Sequence, residues 1–80
     1  MMTSIDTGLA YTLLLEPDPE SLGFTVTVPA LPGIVVQGRT EEEAVGRARE
    51  AIAFHIQCLR DDGLPIPREQ YPPRLVSVQI

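Results

Sequence analysis

Thr40-Glu41-Glu42-Glu43 stands where one hydrophobic period in the chain gives way to another. Before it, Phe24-Thr25-Val26-Thr27-Val28 alternates strictly, so Phe24, Val26 and Val28 share one face of a strand and Thr25 and Thr27 the other. After it, Val45, Ala48, Ile52, Ile56 and Leu59 recur at three- and four-residue spacing, the stripe of an amphipathic helix, with Ala44, Ala51 and His55 along one margin. The four residues themselves form a capping box. The Thr40 hydroxyl can accept from the amide of Glu43, whose carboxylate can reach back to the amide of Thr40. Three carboxylates in the first turn also suit the positive end of the helix dipole.

Working outward, residues 11–16 (Tyr-Thr-Leu-Leu-Leu-Glu) read as a strand ended by Pro17, and residues 34–37 (Ile-Val-Val-Gln) as another ended by Gly38. The stretches 17–23 and 29–33, rich in Pro and Gly, break the chain between strands, and Gly33 and Gly38 read as turn residues with special dihedral angles. Residues 1–9 read as a frayed start. The helix is expected to end near Asp62, before Gly63 and Pro65, and Pro65-Ile66-Pro67 and Tyr71-Pro72-Pro73 frame a stiff connector. Residues 75–80 alternate again, with Val76, Val78 and Ile80 on one face, and read as a fourth strand. The expected fold is α+β, in the order β-β-β-α-β: an antiparallel-rich sheet with one long helix packed on one face. Its other face, with Thr12, Leu14, Thr25, Thr27, Ser77 and Gln79, is mostly polar, as a solvated sheet face should be.

Eighty residues allow one domain, here residues 1–80, and a thin core. Composition is that of a globular chain, 44% hydrophobic and 21% charged, with mean hydropathy +0.08. Aromatics are only 5%, so the core must be aliphatic. Net charge is −5, and all six cations are Arg. Without a basic run the chain is a poor direct nucleic-acid binder, and a basic protein is its natural complement. No aliphatic run is long enough for a membrane span, residues 1–10 lack a basic leader region, and one cysteine cannot form an internal disulfide. A cytoplasmic setting is expected.

No constellation points to catalysis, a metal or a cofactor. His55 is the single histidine, with Cys58 one turn away as the nearest candidate partner, and a metal site needs more ligands than that. The carboxylates lie at a hairpin end and at the two helix ends, so none can converge from neighbouring strands onto a pair of metals. No Gly-rich loop opens the helix to hold a phosphate. Phe54 is different. At about 100° per residue it points away from the core stripe, with Arg47, Ala51 and Cys58 beside it on the outer surface. A large aromatic there suits contact with a partner or a second subunit.

The run Thr25-Val26-Thr27-Val28-Pro29-Ala30-Leu31-Pro32-Gly33 carries a further signal. It follows a strand beginning at Tyr11 and an acidic turn ending in Gly23-Phe24. After it come Gln37-Gly38-Arg39-Thr40, Glu42-Glu43-Ala44, Glu50-Ala51-Ile52 and Gly63-Leu64-Pro65-Ile66-Pro67. In this order and spacing the chain resembles the HicB-like antitoxin family, with Ala30, Ile34 and Arg39 departing from residues frequent there. The resemblance implies a partial RNase H-like fold and the antitoxin role of a type II toxin–antitoxin pair. The partner it implies is a small basic HicA-like mRNA interferase, neutralised by covering its active site, with no chemistry on the antitoxin. Full-length members carry a C-terminal DNA-binding domain. This chain stops at Ile80, so direct operator binding is not expected of it. The alternative is a solitary HicB-like oligomeric scaffold or regulator without a cognate toxin. In either case self-association, as a homodimer or higher, is expected of so small a core with open strand edges.

Overall fold

The computed structural model describes residues 9–80, so most of the expected frayed start lies outside the described residues. Three strands, β1 (Leu14–Pro17), β2 (Phe24–Thr27) and β3 (Val35–Gly38), are followed by one helix, α1 (Glu41–Asp61). The strands pair antiparallel in the order β1-β2-β3, with Leu15 opposite Val26 and Val26 opposite Val36. This is the α+β meander-and-helix that the alternation before Thr40 and the periodicity after it dictate.

The hairpin between β1 and β2 closes on its own backbone. The Asp18 amide donates to the Gly23 carbonyl at 2.8 Å, the Leu22 amide donates to the Asp18 carbonyl at 2.8 Å, and Leu22 takes a positive φ of 61°. Between β2 and β3 the Leu31 amide donates to the Val28 carbonyl, and the Ile34 amide to that of Leu31. That turn drives Leu31 into the interior, where it is as buried as Val26 and Val28. The prolines and glycine of this segment mark a break, and the core residue within it carries no periodic signal.

Val26, Ala44 and Ala48 form the centre of the core, with Leu13, Leu15, Phe24 and Val36 packed around them. The helix is therefore rotated from its expected position. Its margin residue Ala44 is fully buried, whereas Val45, Ile52, Ile56 and Leu59 are half-buried. The cause lies at Gly38, whose φ is not positive, so it is not the turn residue expected. A Cβ there would stand 2.5 Å from the Ala44 nitrogen and 2.7 Å from its Cα. The bare glycine lets the helix backbone sit directly on the end of β3. Gly33 does take the left-handed conformation its place in a turn suggests, with φ 101°.

The helix start follows the capping logic with one change. The Thr40 hydroxyl accepts from the Glu43 amide at 3.0 Å, but the Glu43 carboxylate takes the amide of Arg39, at 2.8 Å, rather than that of Thr40. At the other end Asp62 is the cap and Gly63 has φ 67°. The Leu64 amide returns to the Leu59 carbonyl and the Gly63 amide to that of Arg60, which is the Schellman arrangement.

The expected fourth strand is not formed. Among the described residues no strand follows the helix, and Leu75, Val76, Val78 and Ile80 are all exposed. Pro72 and Pro73 supply no amide donors where the chain would first have to ladder onto the sheet. The chain after the helix is held instead by side chains. The Tyr11 hydroxyl donates to the Pro67 carbonyl, and the Glu69 carboxylate accepts from the Thr12 amide at 2.7 Å and the Thr12 hydroxyl at 2.6 Å. These bonds also explain why β1 begins at Leu14 instead of Tyr11: the residues before it are tied to the post-helical chain rather than to β2.

Candidate interaction surface

The rotation that buries Ala44 and Ala48 turns one flank of α1 toward β3. At about 100° per residue, Arg47, Ala51 and Cys58 fall within about 60° of Phe54, so the four form one stripe along the helix. Phe54 is 72% exposed, Arg47 and Cys58 are exposed, and Ala51 is half-buried. The structure thus brings the four residues onto one stripe, with Phe54 its most prominent apolar group.

Arg47 shows where the stripe lies relative to the sheet. Its guanidinium donates to the Gln37 carbonyl at 2.9 Å, on the open edge of β3, and stands 3.9 Å from the Glu43 carboxylate. The ion pair is exposed and contributes little by itself. The bond to Gln37 has more consequence, because it fixes the helix against β3 and occupies one acceptor of that edge. Glu50 and Asp61 also fall within about 40° of Phe54. The Asp61 carboxylate accepts from the Gln57 amide at 2.9 Å, which orders that end of the face. An apolar anchor between carboxylates is the result.

Elsewhere, His55 is half-buried on the helix and Cys58 is a free, exposed thiol. Among the described residues no three His, Cys, Asp or Glu side chains gather as a metal set would. At the β1–β2 hairpin the neighbours of Asp18 favour its charged form. The Glu20 amide donates to its carboxylate at 2.9 Å and, with the Ser21 hydroxyl, lowers its pKa. This is an Asx-type turn bond. Glu69 carries no signal in the sequence, and Thr12 is marked there only as a residue of the polar sheet face. They are 57 residues apart, and no local pattern marks a carboxylate that will meet an amide at that separation. Among the described residues no helix is long and apolar enough to cross a membrane.

The fold and this surface define a small α+β domain with a partly apolar, acid-flanked helix face. The chain belongs to the HicB-like antitoxin family: the family model described as the HicB-like antitoxin of a bacterial toxin–antitoxin system matches residues 11–76. It is 38% identical over 61 residues to the UPF0150 protein Ta0767 of Thermoplasma acidophilum, covering 76% of this chain and 87% of that protein. It is 34% identical over 70 residues to the UPF0150 protein ssr1765 of Synechocystis, covering 88% of this chain and 87% of that protein. A 14.9 kDa uncharacterized protein from the rep-hol intergenic region of Haemophilus phage HP1 is 42% identical over 53 residues, 61% of this chain but only 40% of the phage protein. No solved structure matches the chain.

Proposed function

We propose that this chain is a non-catalytic binding protein of the antitoxin type, which neutralises a small basic HicA-like mRNA interferase by covering its active site. Membership of the family supports the antitoxin role. The observation that carries the choice of partner is the α1 face, where exposed Phe54 stands among Glu50 and Asp61 in a chain of net charge −5. A basic ribonuclease must present cations to bind RNA, and carboxylates around an aromatic anchor complement such a surface. Arg47, Ala51, Phe54 and Cys58 are the contact residues in this reading. The domain acts as one unit in the cytoplasm, needs no cofactor or metal, and leaves nucleic acid to its partner.

The test is co-expression with a HicA-like toxin encoded in the same genome. Wild type should restore growth and co-purify with the toxin, and Phe54→Glu should do neither while remaining folded. A wild-type chain that neither rescues growth nor binds any such toxin would favour the second reading, a solitary HicB-like oligomeric scaffold or regulator. The exposed apolar residues at 75–80 are the observation that keeps that reading open.

A further inference from the structure

The chain after the helix reaches the open edge of β1 and then leaves it. Tyr11 meets Pro67 and Thr12 meets Glu69, so residue numbers rise together and this segment runs parallel to β1. Pro17, which has no amide, stands opposite Phe24, and the Asp18 amide crosses to the Gly23 carbonyl. Leu14 and Glu16 therefore turn their amides and carbonyls toward β2, and those of Leu13 and Leu15 face the edge left open among the described residues. The chain's own next residues cannot pair with them. In the register set by Thr12 and Glu69, Pro72 and Pro73 lie beside Leu15 and Glu16, and neither has an amide to donate. The backbone also bends at residues 70–71. Continued in that register, Leu75 would fall level with Asp18, past the end of β1 at Pro17. The alternating segment 75–80 therefore begins where its own sheet has no edge left to offer.

We infer that residues 75–80 are a donor strand, which adds to the Leu13–Leu15 edge of a second copy of this chain while that copy returns its own. Three observations select this occupant and this edge. Val76 and Val78 are 77% and 78% exposed and, with Ile80, lie on one face of the segment, opposite Ser77 and Gln79. That is the pattern of a strand that covers a core on one side only. On the acceptor side, Leu13 and Leu15 face the helix, and Val45, Ile52 and Ile56 are left half-buried beside a cleft that Leu9, Tyr11 and Leu13 share. A strand added to β1 with Val76, Val78 and Ile80 toward α1 would cover that flank. The other open edge is less suited, because the Arg47 guanidinium already occupies the Gln37 carbonyl, an acceptor that an added strand would need. Strand addition draws affinity from main-chain hydrogen bonds and specificity from alternate side chains, and reciprocal exchange closes with two-fold symmetry. Pro72-Pro73 gives the exchange its direction by holding the donor off its own sheet. The inference is independent of which partner the α1 face binds.

The experiment uses the full chain. Light scattering at tens of micromolar should give twice the chain mass of 8.8 kDa, and Val78→Pro, which removes a ladder donor from a segment outside the core, should give that mass once with an unchanged circular dichroism spectrum. A chain carrying Ser77→Cys mixed with one carrying Glu16→Cys, both with Cys58→Ser, should join through a short thiol-reactive crosslinker. A monomeric wild type overturns the exchange. So does a dimer that survives Val78→Pro, or one in which the mixed chains fail to join.

Discussion

Replacing Gly38 by alanine should cost this protein a large share of its stability. The added Cβ would meet the Ala44 nitrogen at 2.5 Å, its Cα at 2.7 Å and its Cβ at 3.0 Å. Two of these atoms are helix backbone, so no rotamer change relieves the contact, and α1 must lift from β3 at the point where Ala44 is fully buried. Overpacking of a core costs about 1–3 kcal/mol, and a clash with backbone belongs at the upper end, about 2–3 kcal/mol. A domain of this length has only about 4–12 kcal/mol in total. At about 4–8 °C per kcal/mol, the melting temperature should fall by on the order of 10–20 °C. Gly46→Ala is the control. A Cβ at that mid-helix position meets nothing within 4 Å, so the change should stabilise by about 0.5–1 kcal/mol through the lost freedom of glycine. Thermal unfolding followed at 222 nm, a wavelength that reports helix, reads both variants. Equal melting temperatures for Gly38→Ala and wild type, or a loss of the same size for Gly46→Ala, would refute the close approach as the reason for glycine at Gly38.

Three further outcomes are expected. Thr40→Ala removes the acceptor of the Glu43 amide and should cost about 1 kcal/mol in urea unfolding, with the slope unchanged. Asp18 has its folded pKa lowered below the ordinary 3.8 by the Glu20 amide and the Ser21 hydroxyl. Its contribution is therefore complete above 3.8 and lost as pH falls through the lowered folded value. Asp18→Asn should flatten that acid limb, and a carboxyl titration by NMR that finds Asp18 at or above 3.8 would contradict the turn bond. Phe54→Glu should leave the melting curve within about 0.5 kcal/mol of wild type, since its side chain faces water, and any larger loss would mean that Phe54 packs in the fold.

The order of strands and helix could be read from the sequence because each rests on neighbours in the chain. Alternation from Phe24 to Val28 reports a half-buried strand, and Thr40 with Glu43 reports a helix start, whatever the rest of the molecule does. Phe54 was legible as an exposed residue for the same reason, since one angle on one helix takes it off the core stripe. The rotation nevertheless leaves it about 80–120° from Ala44 and Ala48, on a flank rather than opposite the core. Gly38 was not, since a close approach to Ala44 and a special dihedral angle call for the same residue, and only the backbone tells them apart. Rotation of the helix toward Ala44 follows from that approach and was hidden with it. Leu31 was obscured by the prolines and glycine around it, which mark a turn and say nothing of which way its one large side chain points. The segment 75–80 has the pattern of a strand and forms none within this chain, because pattern specifies a face to be covered and not the molecule that covers it.

The bonds from Tyr11 to Pro67 and from Thr12 to Glu69 also bear on the order in which the protein assembles. They span 56 and 57 residues, whereas the meander and the helix join segments that follow one another in the chain. Closing so long a loop in an unfolded chain carries an entropic cost that grows with the logarithm of its length. Once α1 lies on the sheet and the turn at Gly63 has set the exit of the chain, only the short run from Leu64 to Glu69 has still to be brought home. The clasp should therefore close late in folding and open without global unfolding. The Thr12 amide becomes a local gauge in hydrogen exchange, reporting release of the post-helical chain separately from the melting of the sheet it adjoins.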